Sequence, residues 1–256
     1  TIRGSYNGSL DVDGNVGIID VWDTLGAEPA VAGQSLQISG NLNRLNVGQR
    51  RPGAKMTLDL NVLGNVNGIY IRGDMDGDIW IDGNLRTLNV SQDTSGVDGN
   101  LTVMGNLTNA TITGGGWNST MTAGNSIGRV LIRNGDLAAT GTITCMLGNI
   151  RQVWIRNGDL LGTLSAPNGT IQNIRVSGSD LGAASLIEAS QINYLRVDGS
   201  ILSGARVVVD NELRTLWVGR DIQAGSSLTM DSVRRATIRR NLEGDFTLGY
   251  NPRGAT

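Results

Sequence analysis

The chain has no histidine among its 256 residues. This removes the commonest general base and the commonest transition-metal ligand. Cysteine occurs once, at Cys145, so no disulfide can close within the chain. Cys145 sits in the alternation Ile143-Thr144-Cys145-Met146, in phase with inward positions, and reads as a small buried hydrophobe rather than a reactive thiol. Lysine is reduced to Lys55, and arginine supplies the remaining positive charge. A net charge of −2 and a pI near 5.2 argue against nucleic acid as a bulk electrostatic partner. No apolar run is long enough to span a bilayer. No stretch carries apolar residues at i, i+3, i+4 and i+7, which argues against a helical fold class. The first residue is Thr1, as expected of a processed form or an excised segment.

Glycine is plentiful, at 37 residues, and it recurs in order. One motif, Gly-Asn-Leu-x-x-Leu-x-Val and its relatives, organises the chain. Gly40-Asn41-Leu42 leads to Leu45 and Val47; Gly83-Asn84-Leu85 leads to Leu88 and Val90; Gly148-Asn149-Ile150 leads to Val153 and Ile155. The first apolar position of each copy is Val16, Leu42, Val66, Leu85, Leu107, Ile127, Ile150, Ile171, Ile192, Leu213 and Val233. The spacing runs from about 19 to 26 residues and settles near 21, which suits a β-helix with variable corners and lacks the helical half of a leucine-rich repeat.

Each period predicts three short strands. One carries the motif. A second follows a Gly-Asp-Leu-like corner, as at Gly135-Asp136-Leu137 and Gly158-Asp159-Leu160. The third precedes the next Gly-Asn and alternates, as in Ile79-Trp80-Ile81 and Leu101-Thr102-Val103. Stacked in parallel and right-handed, these predict an all-β, right-handed parallel β-helix (a β-solenoid) with three strands per turn and about 12 turns of about 21 residues. Residues 1–256 form one domain in this reading. The motif register falls on Thr1 at one end and Thr256 at the other, so the expectation is a segment of a longer solenoid or a subunit that stacks into filaments. At the Gly-Asn corner, glycine is expected to supply positive φ. Asn15, Asn41, Asn65, Asn84, Asn106, Asn125 and Asn149 are expected to stack as an amide ladder.

Three places are candidates for function. The outward face of the motif strand carries Arg129, Arg133, Trp154, Arg156, Arg175, Tyr194, Arg196, Trp217, Arg235 and Arg239. Arginines interleaved with aromatics can stack on sugar rings and grip carboxylates or sulfates, so an acidic glycan is the ligand class expected there. The competing expectation is a solvated face in which corner residues Asp136, Asp159, Asp180, Asp198 and Asp221 neutralise the arginines. The second place is Asp74, Asp76 and Asp78 around Gly77, a calcium candidate that lacks the Glu and the flanking helices of an EF-hand. The third is the set of longer corners, which contain Trp22, Asp23, Glu28, Arg50, Arg51, Asp93 and Trp117. No other cofactor or metal is implied.

Through the Gly-Asn-Leu-x-x-Leu-x-Val repeat and the Gly-Asp-Leu corners, the whole chain resembles bacterial parallel β-helix surface proteins: autotransporter passengers, filamentous-haemagglutinin-like adhesins and repeat-rich secreted proteins. The resemblance implies an extracellular or cell-surface location and a non-catalytic structural or adhesive rod. It also implies partners of its own kind, end to end or side by side, or neighbouring solenoid segments. The alternative is a polysaccharide lyase or hydrolase resembling pectate lyases. That would need an acid cluster beside a basic residue such as Arg156 or Arg175, or two carboxyls across a groove, and the sequence displays neither.

Overall fold

A computed structural model of the chain describes residues 1–26, 34–50, 53–91 and 96–249. Among them there is no helix, and 21 strands pair only in parallel. The molecule is a parallel β-solenoid of about 10 turns with ~21 residues per turn. The twelve turns expected from the sequence relied on Thr256, which lies outside the described residues.

The register is the one the motif dictates. Val16 pairs with Leu42, Leu42 with Val66, Val66 with Leu85, Leu85 with Leu107 and Leu107 with Ile127. The column continues through Ile150, Ile171, Ile192, Leu213 and Val233. Its members from Leu42 to Leu213 are at most 2% exposed, so one aliphatic column lines the core. Each such side chain contributes about 1.5–3 kcal/mol by leaving water. The strand before the corner does the same: Leu101 lies between Ile79 and Met121, and Val103 between Ile81 and Ala123.

The stretch after the Gly-Asp-Leu corner is shorter than the strand expected there. It is a single bridging residue per turn, passing from Val97 to Trp117, Leu137, Leu160, Leu181, Ile201, Ile222 and Leu242. Trp117, which the sequence placed on an exposed corner, is fully buried at this position. Towards the end of the described chain the other two strands fuse, giving Leu186–Val197, Arg206–Val218 and Ser227–Ile238.

The corners are held by side-chain oxygens that accept from the next turn. Asn15 Oδ1 accepts from both the backbone N–H and the side-chain amide of Asn41, at 2.8 and 2.9 Å. Asn41, Asn65 and Asn84 repeat this with Asn65, Asn84 and Asn106. The next rung is Ser126, whose hydroxyl donates to Asn106 Oδ1 at 2.5 Å. Asn125 therefore stands outside the ladder, one residue too early, and Asn149 resumes it by accepting from Thr170 N–H at 2.7 Å. Each rung that accepts a backbone N–H is worth about 1 kcal/mol net.

Glycine at this corner supplies the expected positive φ at Gly14 (110°) and serves a different purpose in the copies above it. Gly40, Gly64, Gly83 and Gly105 do not have positive φ. A β-carbon on Gly83 would lie 2.7 Å from Gly64 O and 2.8 Å from Asn65 Oδ1. Glycine is required because the turn below comes too close. Positive φ occurs also at the opposite corner, where Asn134 (55°) and Asn157 (56°) adopt it just before the Gly-Asp-Leu segment.

Two predictions follow from the stacking. Gly83→Ala costs about 1–3 kcal/mol, because backbone rather than a flexible side chain must give way. Gly17→Ala, with nothing within 4 Å of its β-carbon, costs nothing and gains up to about 1 kcal/mol by stiffening the unfolded chain. Urea denaturation of the two variants checks the contrast. Cys145 is fully buried, and burial pushes its thiol pKa up. It should stay silent towards a thiol reagent in the folded protein and react stoichiometrically in denaturant.

Candidate functional site

Residues on the outward side of the motif strand form three neighbouring columns along the axis. The central one runs Asp20, Asn46, Tyr70, Asn89, Thr111, Leu131, Trp154, Arg175, Arg196, Trp217 and Thr237, each paired with the next. On one side lie Arg44, Gly68, Thr87, Asn109, Arg129 and Gln152. By the same register, that column continues through Tyr194, Thr215 and Arg235. On the other side lie Arg72, Ser91, Thr113, Arg133, Arg156 and Ser177.

Four turns of the central column read Trp154, Arg175, Arg196, Trp217. The Trp154 ring is flanked by two guanidinium groups, Arg156 at 4.5 Å and Arg175 at 5.2 Å from its centroid. Trp217 is flanked in the same way by Arg196 at 4.3 Å and Arg239 at 5.2 Å. Trp154 Nε1 donates to Ser177 Oγ at 3.0 Å, which fixes the ring on the sheet. Arg196 Nε donates to Asp198 Oδ1 at 2.6 Å, and this bond holds the guanidinium above its usual pKa. Arg175 Nε is buried with no hydrogen-bond partner among the described residues. Arg133 stacks beside Arg156, and Tyr194 stands next to Arg196. Arg129 and Arg235 belong to the flanking column and touch neither tryptophan ring; Arg129 Nε is also buried without a partner.

The corner aspartates are occupied elsewhere. Asp136 Oδ1 accepts from Asp159 N–H at 2.7 Å, and Asp159 Oδ1 from Asp180 N–H at 2.8 Å. Asp180 Oδ1 accepts from Ser200 N–H at 2.6 Å, and Asp221 Oδ1 from Asn241 N–H at 3.0 Å. They cap successive turns, as the asparagines do on the other corner. Of the acids expected to neutralise the arginine face, only Asp198 pairs with an arginine among the described residues. Away from this strip, Glu212 pairs with Arg214 and Arg234. Its pKa is lowered first by the hydrogen bond from Arg214 and also by Arg234.

Sequence reasoning missed a second feature of the same face. Arg44, Asn46, Tyr70, Arg72, Asn89 and Ser91 line a cleft of about 420 Å³. The Arg44 guanidinium lies 5.4 Å from the Tyr70 ring centroid, and Arg72 donates to Gln49 O at 3.0 Å. Tyr70 was already in the central column by count. The signal left unread was an arginine two residues to either side of the column on adjacent turns. Beyond it, Trp22 is flanked by Arg50 at 4.1 Å and Arg3 at 5.6 Å. Seven cation–π contacts occur among the described residues, all on this one side of the solenoid.

The calcium candidates do not converge. Asp74 and Asp76 face Lys55 Nζ, each at 4.0 Å, while Asp78 Oδ1 accepts from Asn100 N–H and its side-chain amide. No group of three or more Cys, Asp or Glu side chains among the described residues is placed to hold a metal ion. Of the long-corner residues, Glu28, Arg51 and Asp93 lie outside the described residues. A further concavity, of about 500 Å³, overlies the asparagine ladder, where Asn41, Asn65 and Asn84 are already bonded rung to rung.

The two kinds of aspartate should behave differently. Asp180→Ala strands the backbone N–H of Ser200, a residue 6% exposed, at a cost of about 1–3 kcal/mol. Asp198→Ala breaks only a surface ion pair and costs about 0–1 kcal/mol. Paired denaturation curves distinguish them. No family model, no curated protein and no solved structure matches this chain.

Proposed function

We propose that this chain is a non-catalytic, extracellular β-helix rod that binds acidic glycans along its arginine–aromatic face. One observation carries the reading: Trp154 and Trp217, three turns apart in one column, are each clasped by two arginines, with Arg175 and Arg196 between them. An arginine stacked on an indole keeps its N–H edge turned outward, where it can grip a carboxylate or sulfate in two-pronged fashion. The indole faces left open suit the apolar face of a sugar ring. Charge is segregated to match. A protein of net charge −2 places Asp198 as the sole acid in the three columns between Tyr70 and Trp217.

The finer architecture belongs to the same reading. We take the coil as right-handed, in line with the strong bias of parallel crossovers, and as three-sided. Its two longer ladders and the bridge running through Trp117 form the sides. The bacterial surface rods that the repeat resembles supply the expected location and the expected self-association between solenoid segments. A lyase or hydrolase is the weaker reading, because the recurrent carboxylates Asp136, Asp159 and Asp180 are committed to capping backbone N–H groups.

The test is retention on immobilised heparin, with neutral dextran as control. Trp154→Ala and Trp217→Ala each weaken heparin binding about 5- to 30-fold, the worth of 1–2 kcal/mol of stacking. Binding falls as salt rises. It stays level from about pH 5 to 9, because the cations are arginines and the chain has no histidine. Equal retention on dextran and heparin, or indifference to both tryptophan changes, would overturn the proposal.

A further inference from the structure

Resting on that reading, we infer that the ligand is a linear polyanionic glycan laid parallel to the solenoid axis, bridging the Trp154–Trp217 strip and the Arg44–Tyr70–Arg72 cleft as two sites on one continuous track. The two sites share a sheet face by register. Tyr70 stands in the same column as Trp154 and Trp217, separated from Trp154 by Asn89, Thr111 and Leu131. At the ~4.8 Å spacing of paired strands, the centre of the cleft lies about 19 Å from Trp154, and Tyr70 to Trp217 spans about 34 Å.

Three features of the track point to a polymer along it rather than separate small ligands. First, each end sets an aromatic ring of the central column among arginines, and neither Arg44 nor Arg72 is paired with a carboxylate among the described residues. Second, the stretch between the ends carries no acid to repel an anionic chain. Its central column is amide, hydroxyl and aliphatic, and Leu131 is 2% exposed beneath its neighbours. Third, the columns run along the axis, so the regularly spaced charges of a polysaccharide meet regularly spaced turns. A chain running along a strand would leave the face within one turn and meet one cluster only.

Joining two weak sites through one ligand makes the second binding event intramolecular. The test uses heparin chains longer than the track and a heparin tetrasaccharide that covers one cluster, each titrated by calorimetry. Wild-type protein should bind the long chain at least ~10-fold more tightly, counted per chain, than the tetrasaccharide. Arg44→Gln/Arg72→Gln should remove most of that advantage while leaving the tetrasaccharide affinity at the tryptophan strip unchanged. A charge-matched control, Arg151→Gln/Arg206→Gln, removes two exposed arginines that lie off the track and should keep the length advantage. Both double variants alter exposed side chains, and their unfolding curves verify that they fold.

The outcomes separate the two claims. A long-chain advantage that survives Arg44→Gln/Arg72→Gln, or is lost equally in the control, overturns the axial track and leaves the tryptophan strip as a binding site. Tetrasaccharide binding that ignores Trp154→Ala and Trp217→Ala overturns the strip itself. Absence of binding to either probe overturns both.

Discussion

Each turn of this molecule rests about 4.8 Å above the one before, and that separation governs almost everything else. It is too short for a β-carbon to intrude, so Gly40, Gly64, Gly83 and Gly105 sit where two backbones nearly touch. It is also the reach of a short polar side chain, so an Asn or Asp oxygen can accept the backbone N–H of its counterpart one turn on. The fold exploits this on three corners: Asn15 to Asn106, Asp59 to Asn100, and Asp136 to Asn241. Aliphatic columns fill the interior, and the side-chain ladders close the turns where strand pairing lapses. The result is a protein with neither a helix among its described residues nor a disulfide, held together by copies of one contact.

The same constraint shapes the surface. A parallel stack multiplies whatever a position holds, so like charges in one column repel at close range. The arginine face copes in two ways. Aromatic rings accept guanidinium groups face-on, as around Trp154 and Trp217, and Asp198 pairs with Arg196, while Arg133 and Arg156, and Arg175 and Arg196, stack directly. The aspartates that could have neutralised the face are drawn to the corners, where their oxygens are worth more as backbone acceptors. Corner chemistry thereby leaves a strip of cation and ring on a chain that is acidic as a whole. This links the repeat to the proposed glycan contact: the ladder that closes each turn also leaves the face positive.

The repeat was legible because its period survives variation at the corners. Counting from one Gly-Asn-Leu to the next assigned every member of the inward column and of the central outward column, from Asp20 to Thr237. Strand pairing then joined them in that order. Cys145 was placed inward by alternation alone. Errors arose where one residue of slack was invisible in the pattern: Asn125 looked like a rung, but Ser126 holds the position. Trp117 looked like a loop residue because its turn makes only a single bridge there, too short to display alternation.

Period and alternation are local properties of the chain, so the order of residues alone settled which side chains face in and which share a column. Contacts between columns are not local. Whether an aspartate meets an arginine or a backbone N–H, and which guanidinium lies on which ring, depends on how far each corner turns and how close two turns approach. Arg44 and Arg72 are separated by more than a full turn of chain, and Asp180 lies close enough in sequence to Arg175 to suggest a pair. Only the folded coil brought the first two around Tyr70 and gave Asp180 to Ser200, because distance across the stack, set by backbone packing, decides both.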